Sequence, residues 1–364
     1  MTDIETLRNE LSELDLKIIE LVHRRQVLSE EIGAIKRKKG RPTRDYQREK
    51  LVIELAKSHA KELNVDPEMV VDLMQLLIQS SLKTQESARV KEEGQGNGRR
   101  ALVIGGLGRM GGWFVEFMSM QGYEVHIADI NIQEEDESHF NSWRDTDDNY
   151  DITVLATPLR QSIDILENIL ESGRRGIIFD IASIKSPIKE LLKEISDKGM
   201  KVTSIHPMFG PDTDLLTGKH VVFMNLDSHG THLEIMKLFE STTVQMIEMS
   251  IDAHDYAISY VLGLSHIINI AFSKVLHDSG EKKEEFSQVS STTFKDQIEV
   301  ARRVSQENPN LYFEIQHLNS HSMQTINELN RVIKEITDAI TLGSEEDFVE
   351  IMHAGKNYFE GSEG

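Results

Sequence analysis

Gly106-Leu107-Gly108-Arg109-Met110-Gly111 sets glycines at the first, third and sixth positions of one short stretch. The apolar run Ala101–Ile104 precedes it, and an amphipathic segment follows. Asp129 ends the next predicted strand, 23 residues after Gly106. That context separates the stretch from an ordinary glycine turn with no ligand. The first glycine permits a tight turn, the second lets a diphosphate approach the backbone, and the third lets helix and strand pack closely. A diphosphate would then rest on the helix N-terminus, where free N–H groups and the dipole favour negative charge. The expected cofactor-binding residues are Gly106, Gly108, Arg109, Met110, Gly111 and Asp129. A carboxylate at 129 suits ribose hydroxyls and repels a 2′-phosphate, and no arginine directly follows it. The pattern therefore favours NAD over NADP.

His206 lies in Ser204-Ile205-His206-Pro207-Met208-Phe209-Gly210-Pro211, just beyond a predicted strand. In doubly wound sheets the carboxyl ends of strands border the ligand crevice. An imidazole there titrates near neutrality and is suited to take a proton from a substrate hydroxyl. Fourteen histidines are present, so the residue type alone selects nothing; the rigid Pro/Gly setting singles out His206. Arg303 offers a bidentate contact for a substrate carboxylate. Taken alone, it reads first as a solvated surface charge.

The elements that must position these residues fall into three blocks. Apolar residues at Leu7, Leu11, Leu14, Ile18, Leu21, Leu28, Ile32 and Ile35 step by three and four, with Arg25 interrupting the seam. They predict a helix over 5–38 with a helix-packing face. A second helix is expected from about Arg44 to Leu63, and a third from Asp66-Pro67 to about Arg89. Three unequal helices cannot close a good core alone, which predicts a dimer. After a glycine-rich linker, strands and helices alternate: Tyr123–Ile130, Ile152–Ala156, Gly176–Ile181, Val202–Ile205 and His220–Met224 read as strands. That alternation predicts a parallel, doubly wound sheet. From about Ile251 the pattern is helical again. The expected domains are 1–90, a linker 91–99, a dinucleotide-binding domain 100–250, and a helical domain 251–364.

Composition narrows the class further. The 364 residues carry a net charge of −21; residues 1–90 hold 16 basic and 16 acidic side chains, so all the excess lies beyond them. Such a surface argues against nucleic acid and against anionic membranes. No cysteine is present, which removes disulfides, thiolate metal sites and a cysteine nucleophile. No metal is expected. No apolar run approaches the roughly 20 residues of a membrane span, and the polar start does not read as a signal peptide. A cytoplasmic location is the default.

Gly105–Gly111, Asp180-Ile181-Ala182-Ser183-Ile184-Lys185 and His206–Pro211 resemble prephenate dehydrogenase motifs. Residues 1–90, with Arg41-Pro42-Thr43-Arg44-Asp45, resemble the all-helical class of chorismate mutase. In this order they resemble the bifunctional chorismate mutase/prephenate dehydrogenase (T-protein) family of tyrosine biosynthesis. The resemblance implies an all-α mutase domain, a Rossmann-type NAD domain and an all-α C-terminal dimerisation domain. It implies that Arg8 and Arg25 bind carboxylates, that Lys36 and Gln85 contact the ether oxygen, that Asp45, Arg48 and Glu49 lie near the ring hydroxyl, and that Ser81 contacts the ring carboxylate. In the dehydrogenase it implies His206 as catalytic base, Ser183 beside it, Arg303 on the prephenate carboxylate, and His266 linked to inhibition by tyrosine. Lys295 stands where an arginine is expected.

Helix geometry is consistent with the mutase reading. The chorismate rearrangement needs no nucleophile or metal, only a dianion held compactly with its developing charge stabilised. Arg25 and Lys36 share a face within roughly 20° and lie about 16 Å apart. Arg8, about 25 Å before Arg25, should reach the second site of an intertwined dimer. Asp45, Arg48 and Glu49 share one face, as do Ser81 and Gln85. The expected function is conversion of chorismate to prephenate and its oxidative decarboxylation to 4-hydroxyphenylpyruvate. The alternatives are an arogenate dehydrogenase with a vestigial mutase domain, and a non-catalytic tyrosine-sensing NAD-binding regulator.

Overall fold

The computed structural model describes residues 3–226 and 230–361. They form two compact units. One runs from the N-terminus to Ala182 and resumes over Leu191–Met249; the other holds Ser183–Glu190 and the chain from Ser250 onward.

The first unit begins with three helices, α1 (Ile4–Lys38), α2 (Tyr46–Glu62) and α3 (Pro67–Glu92). The Asp45 carboxylate caps α2 by accepting from Arg48 N, and Asp66 caps α3 by accepting from Glu68 N, with Pro67 in the first turn. Both α2 and α3 pack along other helices of this trio, but the apolar seam of α1 finds no cover among the described residues. Its leucines and isoleucines from Leu7 to Ile35 are 44–69 % exposed. Burying each such side chain fully is worth about 1.5–3 kcal/mol, so this face requires a partner.

The remainder of the unit is one eight-stranded sheet. Its strands are β1 (Arg100–Ile104), β2 (Glu124–Ala128), β3 (His139–Phe140), β4 (Ile152–Leu155), β5 (Ile177–Asp180), β6 (Val202–Pro207), β7 (His220–Met224) and β8 (Gln245–Met249). Their order is β3-β2-β1-β4-β5-β6-β7-β8. Helices α4 (Arg109–Met120), α5 (Leu159–Ser172), α6 (Lys189–Asp197) and α7 (Thr231–Met236) connect strands. The sheet departs from the all-parallel expectation at one place: β7 runs antiparallel to β6. No helix lies between Pro207 and His220, so the chain lacks the crossover that a parallel neighbour needs. The short β3 and the edge strand β8 were not legible in the sequence pattern. Val103, Phe114, Phe117, Phe179, Phe223 and Phe239 centre the core.

The glycine-rich stretch after α3 is fastened to the sheet domain. Gly96 N donates to Gln121 O at 2.7 Å, Gly98 N to Gly122 O at 2.9 Å, and Gln95 N to the Gln121 side chain at 3.1 Å. A Cβ on Gly96 would lie 2.3 Å from the Gly122 carbonyl carbon, so glycine here permits close backbone approach. Val90, at the end of α3, is itself part of the sheet-domain core.

The second unit is helical: α8 (Ile251–Ile258), a π-helical segment Ser259–Leu264, α9 (Ser265–Asp278), α10 (Lys283–Gln288), α11 (Thr292–Ser305), α12 (Pro309–Leu318), α13 (Ser322–Leu342) and α14 (Glu345–Glu360). Here one sequence expectation needs correction. The continuous helical stretch Ile251–Asp278 is long and apolar enough to cross a membrane by length and composition. Polar residues divide its apolar residues into short runs, so no single run in the sequence shows it. It also buries His254, Asp255, Ser259 and Asn269, which fits packing against protein groups.

Candidate functional site

Three groups of side chains stand out, two in the first unit and one in the second. The first lies where α1 faces α3. Arg25 Nη1 donates to Leu77 O at 2.6 Å and to Ser81 Oγ at 2.5 Å. Burial lowers the Arg25 pKa. One turn along, Gln85 Nε2 donates to Ser29 Oγ at 2.7 Å, while the buried Gln85 Oε1 has no partner among the described residues. Gly33 makes the approach possible, since a Cβ there would lie 2.7 Å from Gln85 Cγ. Lys36 Nζ donates to Thr43 O at 2.7 Å and so ties the end of α1 to the turn before α2. Arg25 and Ser29 on α1 thus face a polar stripe of α3 that holds Ser81 and Gln85, and Lys36 follows two turns beyond Ser29 on the same face of α1.

The other residues expected here are placed differently. Glu49 receives a bidentate pair from Arg44 at 3.0 Å, and that hydrogen bond raises the Arg44 pKa. Asp45 is occupied as a helix cap. Arg8 and Arg48 are exposed. Sequence reasoning missed Ser29; the one available signal was its place on the Arg25–Lys36 face.

The second group is at the carboxyl edge of the sheet. Gly105, at φ +84°, turns the chain out of β1, and a Cβ there would lie 2.7 Å from Ala156 O. A Cβ on Gly106 would lie 2.6 Å from Ile127 Cγ2, and one on Gly111 only 2.0 Å from Gly105 O. Gly108 forms the α4 N-cap without a side-chain cap, which leaves first-turn N–H groups available to an anion. Asp129 accepts from Leu107 N at 3.1 Å and from Asn131 N at 2.9 Å, so its carboxylate faces the glycine turn. A cavity beside them is lined by Leu107, Gly108, Asp129, Ile130, Trp143 and Arg144, among others. These features fit a dinucleotide. Met110 packs against the core, and Arg109 pairs with Asp212 at 2.7 Å; neither lines that cavity. Trp143 and Arg144 were missed because they arrive from 14 and 15 residues beyond Asp129.

His206 occupies the penultimate position of β6, opposite Val222, and is 5 % exposed. Strands β1, β4, β5 and β6 are parallel neighbours, so the glycine turn and His206 share one edge. Three strand spacings separate β1 from β6, about 14 Å, a distance that a dinucleotide spans. The loop after His206 is braced by α4: Trp113 Nε1 donates to Thr213 O at 2.9 Å, and the Trp113 and Phe209 rings lie 5.0 Å apart.

The third group belongs to the second unit. Ser183 is half-buried at its first residue. Asp255, 1 % exposed, accepts from Lys185 N at 3.0 Å, from Ser186 and from His254 Nδ1 at 2.7 Å. Burial pushes its pKa up, but these hydrogen bonds outweigh burial and hold the carboxyl below its usual range. The His266 ring lies tilted over Tyr312 at 4.0 Å between centroids, with Nδ1 buried and unpartnered among the described residues; burial lowers its pKa to about 4. Arg303 is exposed on α11, and among the described residues its guanidinium has no partner. Its neighbour Arg302 is held by Glu299 at 2.6 Å. Lys295 is exposed on the same helix.

Comparison with known proteins matches this organisation. Residues 7–86 match the family model for chorismate mutase type II, 120–248 that for the prephenate dehydrogenase nucleotide-binding domain, and 250–354 that for the prephenate dehydrogenase dimerization domain. The glycine turn precedes the second match and rests on its own geometry. A T-protein from Enterobacter agglomerans is 20 % identical over 360 residues, which cover 99 % of this chain and 94 % of that protein. A chorismate mutase from Methanocaldococcus jannaschii is 31 % identical over 80 residues, 22 % of this chain and 81 % of that one. In fold, 72 % of the chain superposes on 97 % of prephenate dehydrogenase from A. aeolicus, solved with hydroxyphenyl propionate and NAD+, with a TM-score of 0.58 and 21 % identity.

Proposed function

Because the chain belongs to the bifunctional chorismate mutase/prephenate dehydrogenase (T-protein) family, we propose that it rearranges chorismate to prephenate and then oxidatively decarboxylates prephenate to 4-hydroxyphenylpyruvate, with NAD as cofactor. The observation that carries the reading is the α1–α3 face, where Arg25, Lys36, Ser81 and Gln85 present donors of the kind a pericyclic rearrangement of a dianion requires. Domains are assigned as 1–90 for the mutase, 91–99 as connector, 100–250 for dinucleotide binding and 251–364 for dimerisation and substrate.

In the mutase, Arg25 and Ser81 hold the ligand's carboxylates, and Lys36 and Gln85 stabilise charge on the ether oxygen as its C–O bond breaks. The exposed Arg8 serves the partner's site across the α1 seam, while Asp45, Arg48 and Glu49 close the ring-hydroxyl end. In the dehydrogenase, Gly106, Gly108, Gly111 and Asp129 hold the dinucleotide, with Arg109 and Met110 shaping the start of α4. The bound nicotinamide supplies the hydride acceptor. His206 takes the proton of the ring hydroxyl as the carbinol C–H is lost, and the departing carboxylate leaves its electron pair to the aromatic ring as carbon dioxide. Ser183 orients His206 or the hydroxyl, and Arg303 anchors a side-chain or ring carboxylate. His266 belongs to feedback inhibition by tyrosine. The enzyme acts as a cytoplasmic homodimer, with no nucleic acid or membrane as partner.

The test is a coupled assay. Chorismate plus NAD should yield NADH; prephenate should yield it directly and faster than arogenate. Arg25→Ala should abolish NADH formation from chorismate and spare it from prephenate, whereas His206→Asn should abolish it from both while chorismate is still converted to prephenate. Near-normal prephenate oxidation by His206→Asn would remove the base assignment.

A further inference from the structure

Helix α3 carries two buried stripes about 100° apart. Ser81 and Gln85 turn toward α1. Leu82, Glu86 and Val90 turn toward the sheet domain, and all three are 3–6 % exposed. Glu86 is the polar member of an otherwise apolar stripe. Its carboxylate accepts from Leu216 N at 2.9 Å, from Thr243 N at 2.8 Å and from Thr243 Oγ1 at 2.6 Å. Three donors of the dehydrogenase domain thus converge on one carboxylate of a mutase helix. Hydrogen bonds to a buried charged group are among the strongest the chain makes. The neighbouring Lys83–Asp214 pair, 2.6 Å apart but 48 % and 68 % exposed, contributes little by comparison.

Glu86 directly follows Gln85, whose side chain sits against Gly33 with no room for even a methyl group. The rotation and height of α3 against α1 therefore decide where the Gln85 amide points. We propose that Glu86, clasped by Thr243 and Leu216, is a positioning residue for the mutase site: the dehydrogenase domain sets the register of α3 and so aims Gln85 and Ser81. The inference rests on the mutase reading above.

The test uses the full-length enzyme and a substitution in the other domain. Thr243→Val removes one donor to Glu86 without altering side-chain size; Thr243→Ser keeps the donor. Thr243→Val should lower mutase kcat roughly ten-fold, about the value of one such hydrogen bond, with little change in KM for chorismate, because Gln85 acts in the transition state. Thr243→Ser should retain the rate, and Glu86→Gln, which turns an N–H toward donors, should fall at least as far as Thr243→Val. Prephenate oxidation should stay within two-fold in all three. Amide exchange over 77–90 should quicken in Thr243→Val and not in Thr243→Ser. Parallel loss of both activities would mean a merely structural contact and overturn the proposal. Unchanged mutase rate and exchange in Thr243→Val would overturn it too. A wild-type enzyme that does not turn over chorismate would instead overturn the function proposed above, so the two failures are distinguishable.

Discussion

Gly111 and Gly112 are adjacent, both lie in the first turn of α4, and the structure assigns them opposite tolerances. A Cβ at 111 would lie 2.0 Å from Gly105 O, 2.8 Å from Gly105 C and 2.9 Å from Gly106 Cα, all backbone atoms. No rotamer change relieves that contact. The start of α4 must withdraw from the glycine turn by about 1 Å, at an overpacking cost of about 1–3 kcal/mol or more. The same displacement moves the first-turn N–H groups off the diphosphate position. Weakening one or two charge-assisted hydrogen bonds amounts to about 2 kcal/mol, or roughly thirty-fold in dinucleotide Kd. At 112 the nearest atom to a new Cβ is Gly106 O at 3.7 Å, an ordinary contact, and the residue is exposed. There Ala removes a helix-interior glycine and should stabilise by about 0.5–1 kcal/mol.

Gly111→Ala should therefore lose NADH affinity about thirty-fold and melt earlier, with mutase kcat retained. Gly112→Ala should bind normally and melt at the same temperature or later. Titration of NADH fluorescence with each variant, beside thermal melts, makes the comparison. Wild-type affinity in Gly111→Ala, or an equal loss in both variants, would refute the packing argument and with it the location of the diphosphate.

Two further outcomes follow from the same geometry. Asp129→Ser removes the carboxylate that repels a 2′-phosphate while Arg144 stays in the cavity wall, so the NADP-to-NAD ratio of kcat/KM should rise at least ten-fold; an unchanged ratio would place the adenosine ribose elsewhere. His266, held neutral by burial with a pKa near 4, takes up its proton in the unfolded chain at about pH 6.5, so its burial weakens folding as pH falls from about 6.5 toward 4 and has no effect above that window. His266→Asn should flatten the decline of the urea midpoint between pH 7 and 5, and a decline as steep as in the wild type would show that the imidazole is solvated.

How much of this was legible in sequence depended on whether the deciding contact was local. Asp66-Pro67 announces the start of α3 because cap and first turn are adjacent residues. The third glycine of the spacing is legible because its clash is local, Gly111 against Gly105 six residues earlier, whereas Gly105 and Gly106 are crowded by Ala156 just after β4 and by Ile127 of β2. Arg25 and Lys36 are legible together because one helix fixes their phase. By contrast, the reversal between β6 and β7 follows from a missing crossover helix, which strand propensity does not report. Arg109 reads as part of a nucleotide loop, yet its guanidinium is taken by Asp212, 103 residues away.

Glu86 shows the limit most clearly. An acidic residue in a helix is ordinarily a solvated charge, and in single-sequence pattern Leu82-Glu86-Val90 reads as an apolar stripe with one flaw. The flaw is where the two domains are joined, because a carboxylate accepts from several backbone N–H groups at once and an apolar side chain from none. Folding such a residue inside is favourable only if every donor arrives together. The polar exception in the stripe therefore carries more information about the assembly than the apolar residues around it. The same holds on the neighbouring face, where Arg25 breaks the seam of α1 and finds Ser81. Arg25 ties α1 to α3 and Glu86 ties α3 to the sheet domain, so both interruptions of hydrophobic periodicity mark hydrogen-bonded joints, the first at a residue proposed to do the chemistry and the second directly beside one.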